Sequence, residues 1–187
     1  MLSRIIKFLR DEAKDYKGRT LWEMQCLSDY KIDRSNDVIR WMFPIDIPSK
    51  LYPDVAPVLT KEDVERMEKD QIVQSAIQTS LTRMIVFYEH NDYWVTMRNH
   101  NFPRITRILR CLWLAGMKHD YVCLQKALDE VYTEYPDIIE EETFYYWKNA
   151  NNKDFLEKGY VLPPPPYSKS ELLPHNEEFN YEDFVYP

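Results

Sequence analysis

The sequence predicts an all-α protein, and three observations carry that prediction. Apolar residues recur at helical spacing through most of residues 3–149. Residues able to cap a helix stand where those runs begin. Only 3 of 187 residues are glycine, which argues against tight hairpins and against a phosphate-cradling loop. The expected architecture is one compact domain of about six or seven helices over residues 1–150, with a proline-rich internal loop. Residues 151–187 should form an extended arm, acidic and rich in Pro and Tyr.

Taken in order, residues 3–16 suit a helix: Ser3 can cap, Ile5, Ile6, Leu9 and Ala13 share a face, and Gly18 ends it. Residues 20–28 suit a short helix with Leu21, Trp22, Met24 and Leu27. Ser35 or Asn36 caps another at 37–43, closed by Pro44, because the residue before a proline is pushed out of helical geometry. Pro44, Pro48, Pro53 and Pro57 then mark an extended loop. Its Ile45, Ile47, Leu51, Tyr52, Val55 and Val58 should press it onto the domain. Thr60 and Asp63 resemble a capping box opening a helix with Val64 and Met67. A run from 71 to 88 places Val73, Ala76, Ile77, Ser80, Leu81, Met84, Ile85 and Tyr88 on one face, and a break near Asp70 is left open. Residues 93–97 are β-prone, a loop crossing or one isolated strand. Asp120 caps the helix that follows, with Val122, Cys123, Ala127, Leu128 and Val131 on its face; it ends before Pro136. A last helix at about 137–149 carries Ile138, Ile139, Phe144, Tyr145 and Trp147.

The stretch at 99–116 organises the rest. Asn101 can cap, Pro103 suits the first turn, and Gly116 can take the left-handed conformation just past the end. Ile105, Ile108, Leu109, Leu112 and Ala115 make one apolar face. Arg104, Arg107 and Arg110 recur on the other side, a basic outer stripe expected to meet carboxylates such as Asp37 or the 140–142 run, or a bound phosphate or partner carboxylate.

Composition narrows the function. The net charge of −7 argues against nucleic acid as the partner of the whole chain. The charge is uneven: residues 93–118 hold five basic and no acidic residues, and 120–150 hold eight acidic and two basic. Three cysteines, Cys26, Cys111 and Cys123, form no disulfide framework, as expected for reduced thiols inside a cell. No apolar run is long enough for a membrane span, roughly 18–20 residues. The first ten residues are basic and amphipathic, like a mitochondrial presequence, but Asp11, Glu12 and Asp15 follow at once. An ordinary first helix is the main reading, and the mitochondrion stays open as a compartment.

The tail holds Pro163-Pro-Pro-Pro166, a polyproline II segment, with Pro164, Pro165 and Tyr167 in a Pro-Pro-x-Tyr arrangement that WW domains read. Phe179, Tyr181, Phe184 and Tyr186 are aromatic anchors in an acidic background, more than a simple disordered tail carries. The arm should lie along its own domain or a partner.

Two stretches resemble the conserved domain of the opioid growth factor receptor family. Asn36-Asp-Val-Ile-Arg-Trp-Met-Phe-Pro44, with the downstream Ala56-Pro-Val-Leu-Thr60, is similar to the family's Trp-Leu-Phe-Pro signature and its Ala-Pro-x-Leu-Thr. His100-Asn-Phe-Pro-Arg-Ile-Thr-Arg-Ile-Leu109 is similar to its His-Asn-x-Leu-Arg-Ile-Thr-Arg-Ile-Leu, and Met84-Ile-Val-Phe-Tyr88 to a segment between them. The resemblance spans about residues 18–132. It implies an all-α domain, a nuclear or cytoplasmic compartment and, by analogy with the founding members, reception of a short peptide. It supplies no catalytic residues. The sequence departs from the pattern at Val38, Arg40 and Pro103.

The candidate site residues are therefore Arg104, Arg107 and Arg110, as partner-binding groups or structural ion pairs, Trp41, Phe43 and Pro44 as a packing knot at a helix end, and the arm residues named above. His100 reads as a helix-start histidine bonded to backbone rather than a general base. His119 and Cys123, with Cys111, match no zinc module. No catalytic group, cofactor or metal is expected. The function expected is a non-catalytic interaction module, an accessory or scaffolding subunit whose partners are other protein subunits. A peptide receptor and an enzyme of unrecognised class stand as alternatives.

Overall fold

The structure, a computed structural model, describes residues 2–49, 53 and 56–157. Among them it shows ten α-helices, one 3₁₀ turn and a single β-bridge from Ile45 to Val58. The all-α class is as the sequence predicts; the helices are shorter and more numerous than expected.

Helix α1 (Arg4–Leu9) is capped by Ser3, whose Oγ accepts from Ile6 N at 3.3 Å. It stops well short of residue 16 because Asp11 turns left-handed, at φ 60. Ile5, Ile6, Phe8 and Leu9 are all buried, so this segment belongs to the core. Helix α2 (Leu21–Gln25) opens on a full capping box of Thr20 and Glu23. Helix α3 (Asp29–Asp33) was not expected: five residues with Ile32 alone buried leave no periodic signal. Helix α4 (Asn36–Met42) follows Ser35 and ends at Phe43, ahead of Pro44.

In the proline-rich loop Ile45, Ile47 and Leu59 are buried, and Leu59 N donates to Ile45 O at 2.9 Å. Val58, expected to face inward, is exposed, because only its backbone joins the bridge. Leu51, Tyr52 and Val55 lie outside the described residues. Helix α5 (Lys61–Met67) carries the expected capping box of Thr60 and Asp63. Helix α6 (Gln71–His90) is separate from it. Asp70 makes the break, its carboxylate accepting from Ile72 N and Val73 N while Arg10 clamps it at 2.7 and 3.0 Å. On α6, Phe87 faces the core and Ile85 faces out. The β-prone stretch is a 3₁₀ turn, Asp92–Trp94.

Helix α7 (Asn101–Leu114) is the centre of the domain. Twelve of its fourteen residues are buried, the condition of a helix enclosed on all sides. The expected outer stripe is therefore an inner one: Arg104, Arg107 and Arg110 are all buried. Its cap is also not Asn101 itself; Asn99 Oδ1 accepts from Asn101 N at 2.9 Å. Gly116 does take the left-handed turn, at φ 71, in front of Glu68.

Helix α8 (Lys118–Glu134) starts two residues before the expected cap, and Asp120 sits in its first turn, where its charge suits the positive end. Its inward residues are Tyr121, Leu124, Leu128 and Val131, while Val122 and Cys123 point out. Helix α9 (Glu141–Lys148) likewise has Glu141 and Glu142 in its first turn. Trp147, fully buried, meets Phe102 edge-on at 5.7 Å and donates from Nε1 to Phe102 O at 3.1 Å. The helical body continues past residue 150: α10 (Lys153–Glu157) buries Leu156 and sets Phe155 against Tyr145 and Tyr146.

Candidate functional site

The three arginines of α7 rise every three residues and meet the segment from α3 to the start of the proline-rich loop. Each ends differently. Arg104 donates from Nη1 to Asn101 Oδ1 at 3.2 Å and Ile32 O at 3.4 Å, and from Nη2 to Asp33 O at 2.7 Å and Asn36 Oδ1 at 2.9 Å. The Asp33 carboxylate stands 3.9 Å away. Arg110 makes a two-pronged pair with Asp46, Nε at 3.0 Å and Nη2 at 2.8 Å, and donates from Nη1 to Asn151 O at 2.7 Å. Arg107 donates from Nη1 to the Phe43 carbonyl at 3.2 Å.

The carboxylates expected to meet these arginines are used elsewhere. Asp37 joins Arg19 at 2.6 Å, Lys17 at 2.8 Å and the Tyr16 hydroxyl at 3.0 Å. Burial alone would raise the Asp37 carboxyl; the hydrogen bonds from Lys17 and Arg19 outweigh it and hold it down at about 2. Glu140 pairs with Arg98 at 3.1 Å. The charge contrast between residues 93–118 and 120–150 therefore meets at Arg98, not along α7.

Trp41, Phe43 and Pro44 are buried at the end of α4. Phe8 meets Trp41 edge-on at 4.9 Å, Tyr16 stacks on it at 6.4 Å, and the Arg4 guanidinium lies 5.8 Å from the ring centre. The first helix thus closes over the Trp41 motif, a contact that sequence spacing does not reveal. The arm residues Pro164, Pro165, Tyr167, Phe179, Tyr181, Phe184 and Tyr186 lie outside the described residues.

His100 meets a carboxylate: its Nε2 is 2.8 Å from Asp33 Oδ1. Burial raises the Asp33 carboxyl, and His100, Asn101 and Arg104 more than reverse that. His119 Nε2 and Cys123 Sγ stand 3.6 Å apart on the outer face of α8. Cys111 is buried and beyond their reach, and burial pushes its thiol up to about 12, so it is protonated at neutral pH. Among the described residues no three His, Cys, Asp or Glu side chains gather as a metal site. Among them too, no helix is long and apolar enough to cross a membrane.

One feature lay hidden in the helical arithmetic of α2. Leu21 and Met24 face the core, which turns Trp22 outward, and it is 65% exposed. Two open grooves between α2 and α6 flank it, sharing Trp22, Gln25 and Thr79. Ile72 stands exposed at one end and Val86 at the other.

No protein-family model, curated protein or solved structure matches the chain.

Proposed function

We propose that the chain is an intracellular, non-catalytic interaction module, an accessory or scaffolding subunit of the opioid growth factor receptor-like type. The observation that supports this reading is the apolar line from Ile72 through Trp22 to Val86, exposed beside the grooves between α2 and α6. A tryptophan held in water at the junction of two grooves is a natural anchor for an apolar segment of a partner protein. Exposed thiols at Cys26 and Cys123 suit a reducing compartment. The acidic, aromatic arm supplies a second contact to the same assembly.

The test is purification of the tagged full chain from its source cell. A partner should co-purify at fixed stoichiometry, be lost on Trp22→Ala with the unfolding midpoint unchanged, and be weakened by removal of residues 160–187. Co-purification indifferent to both changes refutes the reading.

A second reading is favoured by one contact. Arg107 of the His100–Leu109 motif bonds the Phe43 carbonyl of the Trp41 motif at 3.2 Å, so the two family-like stretches form one unit. A peptide receptor of the same family would use this unit. Calorimetry with an enkephalin-type peptide separates the two readings, since saturable binding by the module alone favours the receptor.

A further inference from the structure

The three cysteines are placed differently, and one of them is paired with a base. Cys111 is buried. Cys26 is exposed, in the groove it shares with Asp29 and Arg83, which bond each other at 2.6 Å. Cys123 is exposed on the outer face of α8, and its Sγ stands 3.6 Å from His119 Nε2. Side chains four residues apart on a helix are neighbours on its surface, so the backbone of α8 itself holds the thiol and the imidazole together.

The surroundings favour proton transfer between them. Among the described residues His119 forms no ion pair with a carboxylate. Asp120, next to it in the chain, is turned to α6, where the Gln78 amide nitrogen reaches both its oxygens at 3.1 and 3.2 Å. The imidazole is therefore free to take a proton from the thiol. Lys126, three residues beyond Cys123, is exposed on the same face and makes no ion pair among the described residues. Its charge favours a thiolate over a thiol. Glu130, the acidic residue of that face, lies seven residues from Cys123, about 10 Å along the helix axis. An exposed thiol with a base at hydrogen-bond range and a cation beside it is the arrangement of a reactive cysteine.

We propose that Cys123 is a modification site that exchanges with small-molecule disulfides, such as that of glutathione, with His119 as its base. His119 Nε2 takes the thiol proton as Sγ attacks one sulfur of the disulfide. The bond from Cys123 to that sulfur forms as the old S–S bond breaks. The other half leaves as a thiolate and takes the proton from the imidazolium. The small disulfide is the oxidant, and its released half is the reduced product. The inference stands on α8 and holds or fails independently of the interaction reading.

The experiment incubates reduced full-length protein with glutathione disulfide at neutral pH and follows each cysteine by peptide mass spectrometry. Cys123 should form the mixed disulfide about tenfold faster than Cys26, and Cys111 should stay unmodified. His119→Gln keeps a hydrogen-bond acceptor at this place and removes the base. It should bring Cys123 down to the rate of Cys26 and leave the unfolding midpoint unchanged, and His119→Ala should do the same. The proposal is overturned if Cys123 reacts no faster than Cys26, or if its rate is indifferent to the loss of His119.

Discussion

Asp46→Ala tests directly how the domain holds its central helix. Asp46 accepts from both Nε and Nη2 of Arg110, at 3.0 and 2.8 Å, and the side chains are only 15% and 5% exposed. Without the carboxylate, Arg110 keeps one carbonyl, Asn151 O at 2.7 Å. Removing one partner of a buried pair costs about 3–5 kcal/mol, because the other is left as an uncompensated charge. Asp46 sits near the boundary with solvent and Lys153 also reaches it at 3.7 Å, so the lower end, about 3 kcal/mol, is expected. At about 2–4 °C per kcal/mol for a chain of this size, the midpoint should fall by about 6–12 °C. The assay is urea and thermal unfolding followed by far-ultraviolet circular dichroism. Arg110→Met added to Asp46→Ala should recover much of the loss, since the pair then leaves together. Glu65→Ala is the control. Its contact with Lys61 is 4.0 Å long and the side chains are 57% and 90% exposed, so a change within about 0.5 kcal/mol is expected. A loss below about 1 kcal/mol for Asp46→Ala would refute the reasoning, because the pair would then be behaving as a surface contact.

Three further outcomes follow from the same structure. The Asp37 carboxyl is held at about 2 against an ordinary 3.8, so its stabilisation is full above pH about 4 and is lost as pH falls toward 2. Acid titration of Asp37→Asn should lack that part of the stability loss, and an unchanged acid profile would count against the Lys17–Arg19–Asp37 cluster. Gly116→Ala forces a side chain onto φ 71, with its Cβ 3.3 Å from Glu68 Cγ, whereas Gly18→Ala at φ 79 meets open space. Both should destabilise by about 1–2 kcal/mol, Gly116 the more, as read from denaturant midpoints. Thr60→Ala removes the acceptor for Asp63 N at 3.2 Å and should cost about 1 kcal/mol; hydrogen exchange in α5 should quicken first.

Much of the fold was legible because it depends on local chemistry. Ser3 and Thr60 are caps that declare themselves by residue type and spacing. Gly116 marks the end of α7 for the same reason. The caps at Thr20 and Asp70 emerge only in the structure. What failed was rotational. A period counted from apolar residues alone set Arg104, Arg107 and Arg110 outside, since nothing in a one-dimensional pattern shows that carbonyls from residues 32, 33 and 43 wait to receive them. The same rotation misplaced Val122 and Cys123 on α8 by one position and hid Trp22 among core residues of α2. Helices α3 and α10, five residues each, are too short for any period to register.

The arginines of α7 also set an order of events in time. Arg104 bonds to carbonyls 71 and 72 positions back, and Arg110 bonds 64 positions back and 41 positions ahead. Helical proteins fold quickly when their contacts are local; this one routes its central helix through both flanks of the chain. On the ribosome, α7 emerges with three cations that need distant acceptors. The last of them finds its carboxylate, Asp46, in chain already made, and its remaining acceptor, Asn151 O, in chain still to come. The complete set of contacts around α7 therefore requires chain from both sides of it, residues 32–46 before and residue 151 after.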